Sequence, residues 1–421
     1  MPSSPLRLSF GLVLHYWMRG CRTSYPSKIA HITRGSIRPS QIKSQFPLAC
    51  GCAFRIIGAP RPNGIDPLNI RTLHFKAGPG AFREIRQNGF DPAQIGTIAG
   101  ASGGAKWLAL SHLDRVIIQR ILPALVGPVH LIGSSIGAWR FSCYAQASPL
   151  EALERFEHAY LEQRYSDNPD IDEISDRGRE VLAEVLGENG AREIVANPVF
   201  RTHVMTVRSR FLMASERRPV LAAGLMIAAT ANIVSRRTLG AFFKRSLFYD
   251  PRDLPPFFDS RGFPLEQNKI TQRNYAETVL ASGAIPLVLN GIRDIEGAPP
   301  GIYRDGGIID YHLDLPTSAE GKLTLYPHFY DHLIPGWFDK KLRWRQPAAR
   351  NVDRTLLICP SAEFVQKLPN EKIPDRTDFE SMTPELRRKV WRSAVSSCVA
   401  LAEELNDVLD KEQLPARLEP L

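Results

Sequence analysis

Two serines in this chain stand in the pattern Gly-x-Ser-x-Gly: Ser102, in Gly100-Ala101-Ser102-Gly103-Gly104, and Ser135, in Gly133-Ser134-Ser135-Ile136-Gly137. Where a strand turns sharply into a helix, that spacing makes a nucleophile elbow. The glycines let the chain turn without Cβ clashes, and the hydroxyl is lifted to the strand end beside the N–H groups of the helix start. A helix N-terminus favours negative charge, so an oxyanion that develops there is stabilised. Such a serine needs a proton acceptor. Asp305, in Asp305-Gly306-Gly307, follows the short strand candidate Ile302 to Arg304 and sits where two glycines let the backbone bend away from its carboxylate. Alone, an Asp-Gly pair is as often a plain turn; beside an elbow it becomes a candidate base. His312 is the second candidate, because Ser, acid, His is the chain order of an ordinary α/β-hydrolase triad. With it, either Ser135 or Ser102 would be the nucleophile of a His-assisted esterase.

The segments that must position these residues read as alternating strands and helices. Strands are expected at 72–77, 95–99, 129–132, 201–207, 302–304, 323–326 and 355–358, and helices at 81–87, 106–122, 138–145, much of 149–195 and 274–282. Residues 251–272 are rich in proline and read as loop, and 384–409 reads as one long amphipathic helix. The alternation implies an α/β protein of three layers, α/β/α, with a mostly parallel central sheet. Ligands bind such sheets at the carboxyl ends of the strands, where both serine turns fall. Residues 220–234 form an apolar run between Arg217-Arg218 and Arg236-Arg237. Its length favours a buried core helix, and the competing reading is an interfacial helix, with 220–245 in peripheral contact with a membrane.

Composition narrows the function classes. The chain of 421 residues has a formal charge of +9, which invites a nucleic-acid reading. Yet residues 1–65 carry nine Lys or Arg and no acid, so the remainder is balanced at 44 of each sign. The excess belongs to an N-terminal extension that reads as disordered, transit-like or the product of a start placed too early, and nucleic acid is not an expected partner. Residues 66–415 are expected to form a single domain ending in the C-terminal helix. Six scattered cysteines do not make a disulfide framework, and no apolar run is long enough to cross a membrane. A cytoplasmic or membrane-peripheral location is expected, with organellar import through residues 1–65 left open. Gly100 to Lys106 lacks the hydroxyl residue that a phosphate loop needs after its lysine, Gly78-Pro79-Gly80 is not completed to a dinucleotide fingerprint, and the histidines, His130, His203, His328 and His332 included, show no metal-ligand spacing.

Taken in order, these motifs resemble those of the patatin-like phospholipases and acyl hydrolases. The strand at 95–99 with Gly100 to Lys106 is similar to that family's glycine-rich oxyanion loop, Gly133 to Gly137 to its elbow, and Asp305-Gly306-Gly307 to its late acid motif. Ala281-Ser282-Gly283-Ala284-Ile285-Pro286 resembles the run before the acid, and Ile308 through Pro316 the run after it, with Asp310 in the place of a recurrent Asp. The resemblance covers roughly residues 95–316. It implies a Ser-Asp dyad of Ser135 and Asp305, an oxyanion loop contributed by Gly103, Gly104, Ala105 and Lys106, an elbow framed by Gly133 and Gly137, an ester lipid as substrate, and neither metal nor organic cofactor. The loop lies 31 residues upstream of Ser135, counted from Gly104, which is the spacing one strand-loop-helix-strand unit requires; this makes Ser102 part of the loop and only the second choice as nucleophile. Trp107 departs from the pattern, standing where the family often has a third glycine, and so bears on the oxyanion geometry.

Overall fold

A computed structural model describes residues 71–258, 263–318 and 321–421. The expectations for residues 1–65 lie outside the described residues. Eleven strands form one sheet: β1 (Leu73–Ala77), β2 (Ile95–Gly100), β3 (Val129–Ser134), β4 (Phe200–Ser209), β5 (Phe243–Tyr249), β6 (Leu265–Lys269), β7 (Ile292–Arg293), β8 (Ile302–Asp305), β9 (Leu323–Pro327), β10 (Thr355–Pro360) and β11 (Leu418–Pro420). Their order is β11-β1-β10-β9-β2-β3-β4-β5-β6, with β8 on β4 and β7 on β8. The run from β10 through β9, β2 and β3 to β4 is parallel, while β1 on β10, β5 on β4 and β8 on β4 are antiparallel.

Every residue of β2, β3, β9 and β10 is buried. These strands carry apolar residues on consecutive positions instead of alternating ones, which happens when both faces of a sheet are covered. The α/β architecture with a mostly parallel, two-sided sheet is therefore the one expected, and helices supply the outer layers.

Three local expectations are corrected. The helix expected over 106–122 is broken: Gly104–Leu110 winds as a 3₁₀ helix, Ser111–Val116 as α and Ile117–Ile121 as π. A stretch of mixed pitch lets the chain leave a glycine-rich turn and still present Trp107, Leu108 and Leu110 to the core. The proline-rich stretch 251–272 contains β6, whose pairing with β5 holds an edge that its composition does not announce. The C-terminal helix is two helices, Pro384–Ser397 and Val399–Asp410, which meet at Cys398. No helix among the described residues is long and apolar enough to cross a membrane.

Candidate active site

Register explains how residues 170 positions apart come to touch. Strand β3 lies parallel along one edge of β4 and ends with Ser134 opposite Met205. Strand β8 runs antiparallel along the same edge and ends with Asp305 opposite Thr206, the next residue. The two strands thus meet end to end on a shared neighbour, and the residues at their tips face each other. The Ser135 hydroxyl donates to Asp305 Oδ2 at 2.7 Å. The other carboxylate oxygen, Oδ1, accepts the Gly307 N–H at 2.7 Å, so the Asp-Gly-Gly turn orients the carboxylate.

Ser135 carries φ 54° and ψ −126°, a conformation costly for a residue with a Cβ. The helix Ile136–Tyr144 starts directly after it, and Ala138 N–H closes the first turn onto Ser135 O. The flanking glycines are required by close approach. A Cβ on Gly133 would strike the backbone of Ala138, and one on Gly137 would strike the carbonyl of Gly100. Ser282 pins the elbow from behind: its hydroxyl accepts the Ser135 N–H at 2.8 Å and donates to Met205 O at 2.7 Å. Ala284 O accepts the Asp305 N–H at 3.1 Å. The run Ala281 to Pro286 therefore supports both halves of the Ser135–Asp305 pair.

The second Gly-x-Ser-x-Gly turn lies alongside, with Gly100 opposite Gly133 in the β2–β3 register. Ser102 donates its N–H to Tyr311 O and its hydroxyl to Ser134 Oγ, each at 2.9 Å. It meets no base. Gly103 and Gly104 border the cleft in front of Ser135, and Gly104 has φ +56°. Gly103 is seated so closely on Phe329 that an added Cβ would lie 2.5 Å from the ring. Ala105 is buried beneath the loop, and Lys106 reaches the cleft. Trp107 points away from the site, stacked on Phe156 at a centroid distance of 4.1 Å. The departure from pattern is thus spent on the core, not on the loop's cleft-facing side.

His312 is not brought to either serine. It is buried, stacked on Tyr311, and its Nδ1 accepts the Ile334 N–H at 2.9 Å. Burial holds it neutral, its pKa well below the ordinary histidine value. In a neutral ring with Nδ1 as acceptor, Nε2 carries the proton and cannot take one from a serine. Asp310 likewise serves structure, paired in the interior with Arg245 at 2.7 Å.

Asp305 is nearly enclosed, and burial raises its pKa from 3.8 to about 6 against the opposing pull of the Ser135 hydroxyl, the Gly307 N–H, Lys340 and Arg376. A carboxylate this poorly solvated is a stronger base than a surface one while still ionised at neutral pH. The cleft around it combines apolar walls from Ile285, Pro286, Ile308 and Trp337 with the cations Lys106, Lys340 and Arg376 and the carboxylate of Asp375. Lys340 lies 4.1 Å from the centre of the Tyr311 ring. Burial lowers the pKa of Lys106, opposed by the Asp375 charge.

Sequence reasoning missed the wall formed by residues 375–377, because it sits far along the chain on a short polar loop with no motif. That loop is held by its own contacts: Thr377 N–H on Asp375 Oδ1 at 2.8 Å, Asp375 N–H on Asp378 Oδ2 at 3.1 Å, and the buried Trp391 indole on Asp378 Oδ2 at 2.8 Å. In the aromatic stretch 326–337, Phe329 packs under Gly103 and Trp337 lines the cleft.

The fold and site together define an α/β protein with a serine–carboxylate pair at the carboxyl end of a parallel sheet. No family model matches the sequence, and no curated protein matches it. Among solved structures, VipD from Legionella pneumophila is similar at 11% identity and a TM-score of 0.28, over 57% of this chain. The chain spans about half of that one, 51%. A likeness at that level bears on neither fold nor chemistry, so the site's own geometry carries the functional argument.

Proposed function

We propose that this protein is a serine acyl hydrolase of the patatin-like kind, cleaving ester lipids through Ser135 and Asp305. The observation that carries the reading is the 2.7 Å hydrogen bond from Ser135, at the tip of a strained strand-to-helix turn, to an enclosed carboxylate with no histidine between them. As Ser135 Oγ bonds to the ester carbonyl carbon, its proton passes to Asp305 Oδ2. The carbonyl oxygen becomes an oxyanion beside the Gly103 and Gly104 backbone and the start of the helix Ile136–Tyr144. Collapse of the tetrahedral intermediate breaks the ester C–O bond, and the leaving alkoxide takes the proton from Asp305. Water then attacks the acyl-enzyme, giving its proton to Asp305, which returns it to Ser135 as the acid departs.

The apolar walls suit an acyl chain. Lys106, Lys340 and Arg376 suit an ester that also bears an anionic group, and Arg376 and Lys340 already act on the charge of Asp305. Labelling of the purified protein with a fluorophosphonate, followed by peptide mapping, tests the reading. The expected adduct is on Ser135. An adduct on Ser102 would move the nucleophile, and an unlabelled protein that still binds ester lipids would make the fold a silent lipid binder.

A further inference from the structure

The apolar run whose length suggests a core helix is a surface helix without a charged face. Arg218–Val234 buries Leu221, Leu225 and Ala228 in an apolar cluster that includes Ile308, Ile309 and Phe338. Its other side carries Val220, Ala223, Ile227, Thr230 and Val234, spaced by three and four residues and so aligned as one stripe. No charged residue falls between Arg218 and the helix end. Ile227 is 52% and Val234 85% exposed. A solvated helix face normally carries the charges that this one lacks.

The stripe belongs to a larger patch. Among the described residues ten large apolar side chains are exposed, and six of them lie on this helix or on segments seated against it: Phe211, Leu212, Ile227, Ile233, Val234 and Trp344. Leu212 and Met213 close over Gly224, where a Cβ would meet both. Arg345, beside Trp344, donates to Asn232 O at 2.6 Å and Ile233 O at 3.3 Å at the helix end. The border of the patch is basic, with Arg217 and Arg218 exposed at one end and Arg237 and Arg343 at the other. The acid in this border, Glu216, is paired with the buried Arg304 at 2.9 Å. Two arginines at a helix N-terminus work against the helix dipole unless an anion joins them.

We infer that this face docks on an anionic lipid bilayer, with the 220–234 stripe and Trp344 entering the headgroup–acyl boundary and the flanking arginines meeting lipid phosphates. An exposed apolar face rimmed by one sign of charge is the signature of an interfacial helix. The helix shares that apolar cluster with Ile308, which lines the cleft beside Ser135, so docking would bring the membrane near that cleft. The surface suits the lipid-ester reading, although its geometry does not depend on it.

Full-length Ser135→Ala protein, which leaves lipids intact, is mixed with vesicles of phosphatidylcholine alone or with phosphatidylglycerol and sedimented. Binding is expected to the mixed vesicles and to weaken with salt. Replacing Arg217 and Arg218 by Gln lowers it about thirtyfold, and Ile227→Asp with Val234→Asp removes it. The same substitutions placed on an intact Ser135 leave turnover of a water-soluble short-chain ester unchanged, which controls for folding. Failure to sediment with anionic vesicles, or sedimentation unaltered by the Asp pair, overturns the inference. So does an Asp pair that dissociates a dimer in analytical ultracentrifugation, since a second copy would then occupy the face. A protein that binds vesicles but hydrolyses no ester would keep this surface and overturn the hydrolase reading.

Discussion

The two Gly-x-Ser-x-Gly turns end neighbouring strands in register, with Gly100 opposite Gly133, yet their serines live in different chemistry. Ser135 is held at positive φ with its hydroxyl on Asp305, whereas Ser102 spends its hydroxyl on Ser134 and its amide on Tyr311. The difference arises past the strand ends. Beyond β3, the edge of β4 is taken up by β8, which delivers a carboxylate. Gly307, the residue that orients this carboxylate, packs so closely on Ser102 that an added Cβ would lie 2.5 Å from its Oγ. A nucleophile is therefore made by its neighbour as much as by its turn, and Ser102 becomes packing for the site that Ser135 occupies.

The comparison breaks most directly through its two serines. Ser135→Ala should lower kcat for a nitrophenyl ester by about a thousandfold or more, whereas Ser102→Ala should keep most of the rate. The opposite ranking in steady-state assays would reverse the assignment. Asp305→Asn should cost about a hundredfold to ten thousandfold in kcat/KM.

The same substitution should stabilise the fold. The folded pKa of Asp305 is raised above 3.8, so the ionised form is disfavoured in the native protein. That cost is fully present above about pH 6 and fades as pH falls toward 4. Chemical denaturation at pH 7.5 should therefore show Asp305→Asn more stable by on the order of 1–3 kcal/mol, an advantage lost near pH 4. The acid limb of kcat/KM should fall near pH 6 in the native enzyme, because the proton acceptor must be ionised to work. A limb set by an ordinary carboxylate near pH 4 would mean that Asp305 is better solvated than this.

Ser282→Ala removes the hydroxyl that fixes the elbow amide, and should lower kcat about tenfold with KM little changed. Because it acts only by positioning, Ser282→Thr should recover part of the loss. The smallest effect is expected from His312→Gln. Its activity should stay within a few-fold of the native enzyme while its melting temperature drops, since the ring packs against Tyr311, His328 and Phe329 and touches no reacting atom.

The short-range features of the site were legible in the sequence. The glycine spacing of the elbow, the Asp-Gly-Gly turn and the strand-helix alternation depend on local backbone sterics and on hydrophobic periodicity, which neighbouring residues set between themselves. Which serine meets the carboxylate could only be argued from order along the chain; the meeting itself comes from two strands sharing one edge of β4. Strand β6 hid in a proline-rich stretch because its pairing partner, not its composition, makes it a strand. The 375–377 wall is placed by Trp391 and Asp378, and no pattern of residue types foretells that contact.

The apolar helix divides the two kinds of knowledge most clearly. An unbroken apolar run and its length pointed to a helix over residues 220–234, and both properties are local. Whether its second face meets protein or solvent depends on what else the chain can pack there. Among the described residues that face is left open, because the neighbouring segments cover Gly224 and stop short of Ile227 and Val234.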